Sequence, residues 1–204
     1  MPMSQHQKMP DQQIVTLFNQ TFYKAFNTQL IGGGEEPEYI PADKHVTYHR
    51  IIYRQDYIAS ALHEVAHWCI AGPRRRQQHD YGYWYIPDGR NVQEQAEFEW
   101  VESKSQALEW IFSKASKRQF TISVDNLDNA QSTSNGPSLN FKQNIVECAL
   151  HYCQGGLNTR ASIWSRALFS KYGDIDCGNN NFGDNDPDLL SYLDITHYSL
   201  EALR

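Results

Sequence analysis

The segment 56–71 constrains the fold of this chain more than any other, because it sets His63, Glu64 and His67 in a short apolar stretch. Small and apolar residues surround the histidines and a Gly-Pro pair follows, a composition that predicts a closely packed helix ending at the glycine. Residues four apart on an α-helix are separated by only about 40° around its axis. Both imidazoles of this His-Glu-x-x-His (HExxH) pattern can therefore reach one metal ion.

Glu64 follows His63 directly and is rotated from it by about 100° on a helix. It is therefore a candidate for a catalytic base or for a residue that orients a ligand, rather than for a third ligand. The pattern of two histidines and a glutamate also arises by chance. The alternative is a buried helix whose histidines hydrogen-bond to backbone carbonyls.

A metal ion needs a further ligand, and the segment 91–115 supplies carboxylates. Its apolar residues recur with helical spacing and predict one long helix. Glu99 and Glu102 are three residues apart and can share a face, and Glu102 stands beside the apolar run. Spacing alone leaves Glu102 as either a ligand or a solvated carboxylate. The other glutamates of this helix are expected to face water: Glu94, Glu97 and Glu109.

Length and composition limit the classes of protein that the chain can represent. Its 204 residues suit one domain over 1–204. The 18 Lys and Arg against 24 Asp and Glu give a net charge of −6, which does not favour nucleic-acid binding. No stretch approaches the roughly 18 apolar residues of a membrane span, and residues 1–11, expected to be flexible, lack a signal-peptide core. The four cysteines show no paired-ligand spacing and indicate a reducing cytoplasm.

The remaining periodicity predicts a helix-rich α+β domain with a small sheet beside the helix that carries His63. Further helices are predicted at 12–27, 141–153 and 159–171, and strands at 46–53, 81–86 and 119–124. Glycine and polar residues predict loops at 32–34, 125–140 and 173–188. The helix at 91–115 is expected to cross the helix that carries His63.

Three consecutive arginines, Arg74, Arg75 and Arg76, follow the helix that carries the two histidines. Such a run is either a solvated loop or a surface that attracts an acidic partner. If it attracts a partner, we expect that partner to be an acidic protein substrate.

Several blocks of the sequence extend beyond the HExxH pattern: Ser60–Gly72, Asp80–Tyr85, Pro87–Arg90, Phe98–Glu102 and Gln106–Leu108. In these blocks the chain resembles the bacterial elongation factor P hydroxylase family. The resemblance is dense from about residue 37 to residue 115, over a third of the chain. Because its blocks are longer than five residues, it is far more specific than the metal-binding pattern alone.

The resemblance implies an enzyme that adds a hydroxyl group to the lysyl-lysine side chain of its protein substrate, elongation factor P. It implies a metal held by two histidines and one carboxylate, which correspond here to His63, His67 and Glu102. It also implies a fold similar to that of the zinc peptidases, rather than the jelly-roll barrel of most 2-oxoglutarate oxygenases. The barrel enzymes use His-x-Asp or His-x-Glu on a strand, whereas the histidines of this chain are four apart on a predicted helix.

Hydroxylation of a C–H bond requires a metal that changes oxidation state, so iron(II) is expected, with molecular oxygen as co-substrate. No Arg or Lys is recognisably placed to hold a 2-oxoacid, so 2-oxoglutarate is not evident as a cofactor. A long cationic side chain as substrate would favour nearby carboxylates. The candidates for this role are Glu64, Glu99 and Asp88.

Two other functions fit the same residues. Zinc does not change oxidation state, so the same ligands holding zinc favour hydrolysis, with Glu64 deprotonating a zinc-bound water in a metallopeptidase. In a non-catalytic protein the metal would be structural, and protein ligands would close every coordination position. The identity of the metal and the presence of open coordination positions on it therefore distinguish the three candidate functions.

Overall fold

The computed structural model describes residues 10–55, 57–82, 91–123, 137–173 and 195–203. The chain divides into two compact units, Met1–Gly82 and Tyr83–Arg204, and its organisation as a single domain stays a prediction. Helices dominate the described residues, which also contain a three-stranded sheet, so the helix-rich α+β class is confirmed. Within the described ranges, no helix is both long and apolar enough to cross a membrane.

The first unit packs two helices on a small sheet. Its elements in chain order are α1 (Pro10–Phe26), β1 (Thr28–Gly34), β2 (Glu38–Ile40), β3 (His49–Arg54) and α2 (Ile58–Ile70). The central strand β3 pairs in parallel with β1 and antiparallel with β2. Two short 3-10 helices follow, Arg75–Gln77 and His79–Gly82. These bounds confirm the helices predicted at 12–27 and 56–71.

An aromatic cluster joins α1 to α2. The indole of Trp68 makes edge-to-face contacts with Phe18, Phe22 and Phe26, at centroid distances of 5.5, 4.9 and 5.8 Å. Such pairs contribute about 0.5–1.5 kcal/mol each beyond the burial of their surface. Trp68 is about 140° from His63 around the helix. The face of α2 that carries Trp68 therefore packs against α1, and the face that carries His63 points away from these rings.

The predicted loop at 32–34 is wrong, because the three glycines form the end of strand β1. Gly34 pairs with Arg54 and lies so close to β3 that an added Cβ would sit 2.7 Å from Cγ2 of Ile52. Gly33 has a φ of 88°, a conformation that other residues rarely adopt. Glycine at these positions permits a close approach of backbones, although in sequence it suggests a turn.

The other strand predictions need correction. Strand β3 begins at His49, three residues after the predicted start at residue 46. Tyr81 and Gly82 belong to a 3-10 helix rather than to the predicted strand 81–86, whose other residues lie outside the described ranges. Residues 119–123 have no regular secondary structure, so the strand predicted at 119–124 is also wrong over the part that the structure describes.

The described part of the second unit contains three long helices, α3 (Val92–Ala115), α4 (Leu139–Gly155) and α5 (Thr159–Tyr172). They confirm the helices predicted at 91–115, 141–153 and 159–171. Helix α4 starts two residues inside the predicted loop 125–140, and most of that loop and of 173–188 lies outside the described residues. Two short 3-10 helices follow near the end of the chain, Ile195–His197 and Glu201–Leu203.

Local sequence explains where these three helices begin. The side chains of Asn91, Ser138 and Asn158 each accept hydrogen bonds from the first backbone N–H groups of a helix. A carboxylate oxygen of Glu94 accepts a hydrogen bond from the backbone N–H of Asn91 and completes a capping box, so this carboxylate has a structural role. The buried apolar residues of the unit include Leu108, Ile111, Phe112, Ile145, Trp164 and Leu168.

Candidate metal centre

His63 and His67 lie one turn apart on α2, and their rings approach the same point. Their Nε2 atoms are 3.0 Å apart, the ring centroids are 4.7 Å apart and the ring planes are inclined by 74°. His67 is 7% exposed and His63 is half-buried. Two ring nitrogens at this distance can share a proton or bind the same cation. The helix therefore presents two ligand atoms at one position.

The sequence of α2 fixes the turn that carries the histidines. The hydroxyl of Ser60 accepts a hydrogen bond from the backbone N–H of Arg54 at 3.1 Å, which ties the first turn to the end of β3. At the other end, the N–H of Ala71 donates to the carbonyl of His67 at 2.9 Å. Between these points, buried side chains hold the helix in the core of the unit: Ala61, Leu62, Val65, Ala66, Trp68 and Cys69.

Glu102 lies on α3 at a position that is shielded from water. Glu102 is only 7% exposed. Three of the next four residues are also buried: Ser103, Ser105 and Gln106. A carboxylate removed from water is destabilising unless a cation, a metal ion or hydrogen-bond donors compensate it. The burial of Glu102 removes the alternative of a solvated surface carboxylate and fits a residue that binds a positive partner.

Gln106, one turn after Glu102, anchors the chain that follows α3. Its Nε2 donates to the carbonyl of Ser123 at 2.7 Å, and its Oε1 accepts from the N–H of Ser123 at 3.2 Å. Nearby, Trp110 stacks on Phe120 with a centroid distance of 5.6 Å. The chain therefore folds back along α3 toward the middle of the helix and is held there at two points.

Among the described residues, three side chains form a group with the composition of a metal site. One ligand atom from each of His63, His67 and Glu102 lies within 4.8 Å of the other two. Two imidazoles and one carboxylate suit iron or zinc, and three protein ligands leave positions for other molecules. The donor types and the burial of two of the three residues fit a metal ion. Metal binding by these residues stays a prediction.

The carboxylates predicted to attract a cationic substrate have different surroundings. Glu64 is half-buried and stands directly after His63 on α2. Glu99 is half-buried, and its Oε1 accepts a hydrogen bond from Nε2 of Gln95 at 3.1 Å. Asp88 lies outside the described residues. Glu64 and Glu99 therefore keep the partial exposure that a residue in contact with a substrate requires.

The three consecutive arginines do not share one environment. Arg74 and Arg75 are exposed, whereas Arg76 is half-buried. The Arg76 guanidinium donates a hydrogen bond to the carbonyl of Ala71, the residue that follows the last turn of α2. Arg76 therefore stabilises the end of the helix that carries His67, a role that a run of identical residues does not reveal in sequence.

Glu109 is the buried acidic residue that sequence reasoning missed. It was expected to face water with Glu97, but it is only 4% exposed, whereas Glu97 is exposed. Glu102 and Glu109 are seven residues apart, which is close to two helical turns, so they lie along the same face of α3. That spacing was the available signal, because a face that buries one carboxylate is a candidate to bury the next.

Comparison with known proteins adds a second kind of observation. A family model described as elongation factor P hydroxylase matches residues 17–182 of the chain. A relative from Haemophilus influenzae, named elongation factor P lysine hydroxylase, is 43% identical over 159 residues, which cover 78% of this chain and 87% of the relative. Similarity of this extent is not confined to the HExxH helix, because it includes most of both chains.

Proposed function

Because this chain belongs to the elongation factor P hydroxylase family, we propose that it adds a hydroxyl group to the lysyl-lysine side chain of elongation factor P. The extent of the sequence identity with a relative named for this activity is the observation that carries the proposal. The family match includes both the HExxH helix and the segment that contains Glu102. An enzyme that modifies a translation factor in this way works in the cytoplasm.

In this proposal His63, His67 and Glu102 hold one divalent metal ion. The 3.0 Å separation of the two Nε2 atoms and the grouping of the three ligand atoms within 4.8 Å support the assignment. Hydroxylation favours iron(II) over zinc, because zinc does not change oxidation state. Iron, when bound, would supply the redox chemistry that activates molecular oxygen, with two of the four electrons coming from the C–H bond and two from an external reductant, and with the second oxygen atom leaving as water. No residue described above suggests a site for 2-oxoglutarate.

The protein contributes binding and exclusion of water to this chemistry. Glu64 and Glu99 are proposed to attract the ammonium groups of the lysyl-lysine side chain, with Asp88 as a third candidate. Attraction between opposite charges is stronger at a partly buried position than in bulk water, and both described glutamates are half-buried. The burial of His67 and Glu102 limits the access of water to the reacting carbon and so protects against side reactions.

We also propose that the core around α2 is similar to that of the zinc peptidases. The placement of both histidines on a helix that directly follows β3 supports this likeness. In a peptidase Glu64 would act as the base for a zinc-bound water, whereas in the hydroxylase it attracts the substrate or orients a ligand. The two activities therefore make different demands on the same glutamate.

The decisive experiment combines metal analysis with mass analysis of the substrate. The protein is purified without oxygen and its metal content is measured. It is then exposed once to oxygen and to elongation factor P that carries lysyl-lysine, in the presence of an added chemical reductant. Hydroxylation adds one oxygen atom to the modified residue, whereas a peptidase cleaves the chain. A non-catalytic protein with a structural metal would neither hydroxylate the factor nor cleave it.

Variants of the three ligands complete the test. His63→Ala, His67→Ala and Glu102→Ala are expected to lose the metal and the added oxygen. His151→Ala and Glu97→Ala are matched controls, because each changes an exposed residue of the same type on a helix. The proposal fails if the ligand variants still hydroxylate the factor at the rate of the wild type, or if an active wild type contains zinc alone.

A further inference from the structure

The start of α2 carries an exposed aromatic ring. Tyr57 is the N-cap residue of the helix, is 59% exposed, and makes no capping hydrogen bond with its side chain. Tyr23 in α1 is also exposed, but its ring packs edge-to-face on that of Tyr48 at a centroid distance of 6.0 Å. Among the described residues, no ring contact or side-chain hydrogen bond engages Tyr57 in this way. Its ring is therefore available to a bound molecule.

The backbone of Tyr57 is fixed even though its ring is exposed. Its N–H donates to the carbonyl of Arg54 at 3.4 Å, and its carbonyl accepts a hydrogen bond from the N–H of Ala61 at 3.0 Å. The hydroxyl of Ser60 accepts from the N–H of Arg54 at 3.1 Å, so the first turn of α2 is tied to β3. A residue that binds from an ordered backbone loses less conformational entropy in doing so. The backbone of Tyr57 is therefore already organised for binding.

One side of α2 leads from Tyr57 to the proposed metal centre. Of residues 61–69, all of which the structure describes, His63 and Glu64 are half-buried and the others are buried. Glu64 comes seven residues after Tyr57, which places the two about 20° apart around the helix, and His63 is about 120° from Tyr57. The partly exposed side of the helix therefore begins at the ring and continues to the histidine of the proposed centre.

The distance from the ring to the centre suits a long side chain. Tyr57 stands six residues before His63, which corresponds to about 9 Å along the axis of α2. A lysyl-lysine side chain has about a dozen bonds between the backbone and its last ammonium group and extends over roughly 15 Å. An unmodified lysine has about five such bonds and reaches only roughly 6 Å. When the reacting carbon lies at the metal centre, only the modified side chain is therefore long enough to contact Tyr57 as well.

We propose that Tyr57 is a substrate-binding residue whose ring face holds the second lysine unit of the lysyl-lysine side chain. This inference rests on the proposed function, because it names a residue that recognises the group to be hydroxylated. The methylene groups of that unit pack on the ring, and its ammonium group is attracted by the negative ring face. At an exposed site this attraction corresponds to between about twofold and fivefold in affinity. Glu64 adds a negative charge on the same side of the helix.

The test compares two forms of elongation factor P, one with lysyl-lysine and one with the unmodified lysine. Their binding to the iron(II)-loaded protein is measured by fluorescence anisotropy without oxygen, so that no turnover occurs. Tyr57→Ala and Tyr57→Leu are expected to weaken binding of the modified form about fivefold and to leave that of the unmodified form unchanged. Tyr57→Phe keeps the ring and should stay within about twofold of the wild type. KM for hydroxylation should rise with the loss of affinity while kcat changes little, because the contact is the same before and during the reaction.

Tyr23→Leu is the matched control, because it removes another exposed tyrosine ring of the same unit. Its affinity for both forms should stay within about twofold of the wild type. The inference is overturned if Tyr57→Leu binds the modified form as tightly as the wild type does. An equal loss of affinity for the two forms in the Tyr57 variants also overturns it, as does a wild type that binds both forms equally. A wild type that holds the modified form through Tyr57 but adds no oxygen contradicts only the proposed function.

Discussion

Nε2 of His63 faces Nε2 of His67 at 3.0 Å across one turn of α2. The pair is built into a helix whose other side packs in the core, so the two nitrogens cannot separate without a rotation of a partly buried ring. Such preorganisation favours a cation that binds both nitrogens, because little side-chain entropy is lost on binding. A ligand that binds only the folded state must also stabilise it.

Addition of iron(II) under anaerobic conditions should therefore raise the unfolding temperature of the wild type. At a metal concentration about 100 times the dissociation constant, the stabilisation is about 2.7 kcal/mol. His63→Ala and His67→Ala should show almost no response, while the exposed His151→Ala responds like the wild type. Differential scanning fluorimetry with and without metal measures the effect. An equal response from all four proteins would show that the metal binds elsewhere.

Glu109 should contribute to stability in a way that Glu97 does not. Both residues lie on α3, but Glu109 is 4% exposed and Glu97 is exposed. Replacement of a buried carboxylate by alanine leaves its partners unsatisfied and its volume empty, which costs about 2 kcal/mol. Glu109→Ala should therefore lower the free energy of unfolding by about that amount, and Glu97→Ala by less than about 0.5 kcal/mol. Urea unfolding of the two variants makes the comparison, and equal midpoints would contradict it.

His49 should make the stability of the first unit sensitive to mild acid. Burial is the main cause that lowers the pKa of His49 below its usual 6.5, and the positive charge of Arg76 adds to it. Nδ1 of the neutral ring accepts a hydrogen bond from the N–H of Ala42 at 3.0 Å. Because the folded-state pKa is the lower one, the unfolded chain takes up the proton first. Stability from this residue is therefore present above pH 6.5 and is lost as the pH falls through the folded-state pKa.

Replacement of His49 by glutamine removes the titrating group and keeps a side chain that can accept a hydrogen bond. Denaturant unfolding of the wild type and of His49→Gln should be compared at neutral pH and at successively lower values. The wild type should lose more stability than the variant as the pH falls below 6.5. Parallel curves for the two proteins would rule out His49 as the source of the acid sensitivity.

Gln106 should restrict the motion of the segment that follows α3. Gln106→Ala removes both hydrogen bonds to Ser123 and leaves a backbone donor and acceptor without their side-chain partner. We expect faster hydrogen–deuterium exchange around Ser123 and a loss of about 1–3 kcal/mol in the free energy of unfolding. Gln143→Ala, at an exposed position of α4, is the control and should change neither quantity. Unchanged exchange in Gln106→Ala would contradict this role of Gln106.

The helices were accessible to sequence reasoning because their signals are local. Each α-helical hydrogen bond joins residues four apart, so apolar spacing and caps within one segment decide the element. Capping residues such as Asn91 and Asn158 stand where the helices begin. The five α-helices of the described residues were all predicted with starts and ends within about three residues of those observed.

The sheet was less accessible because pairing depends on residues far apart in the chain. Gly34 belongs to β1 because its backbone pairs with β3, where Arg54 is its partner. A glycine run has no apolar alternation, so the usual sign of a strand is missing. The same limit explains the late start of β3 at His49, since its bounds are set by the strands on either side.

By itself the sequence determined the helices, the helix-borne histidine pair and the family, because periodicity and long motifs are properties of contiguous residues. Only the tertiary structure decided that Glu109 is buried, that Arg76 supports the end of α2 while Arg74 and Arg75 stay exposed, and that glycines complete a strand. The physical reason is that burial and hydrogen-bond partners are set by residues that the folded chain brings together. Identical residue types that are adjacent in sequence can therefore meet quite different surroundings.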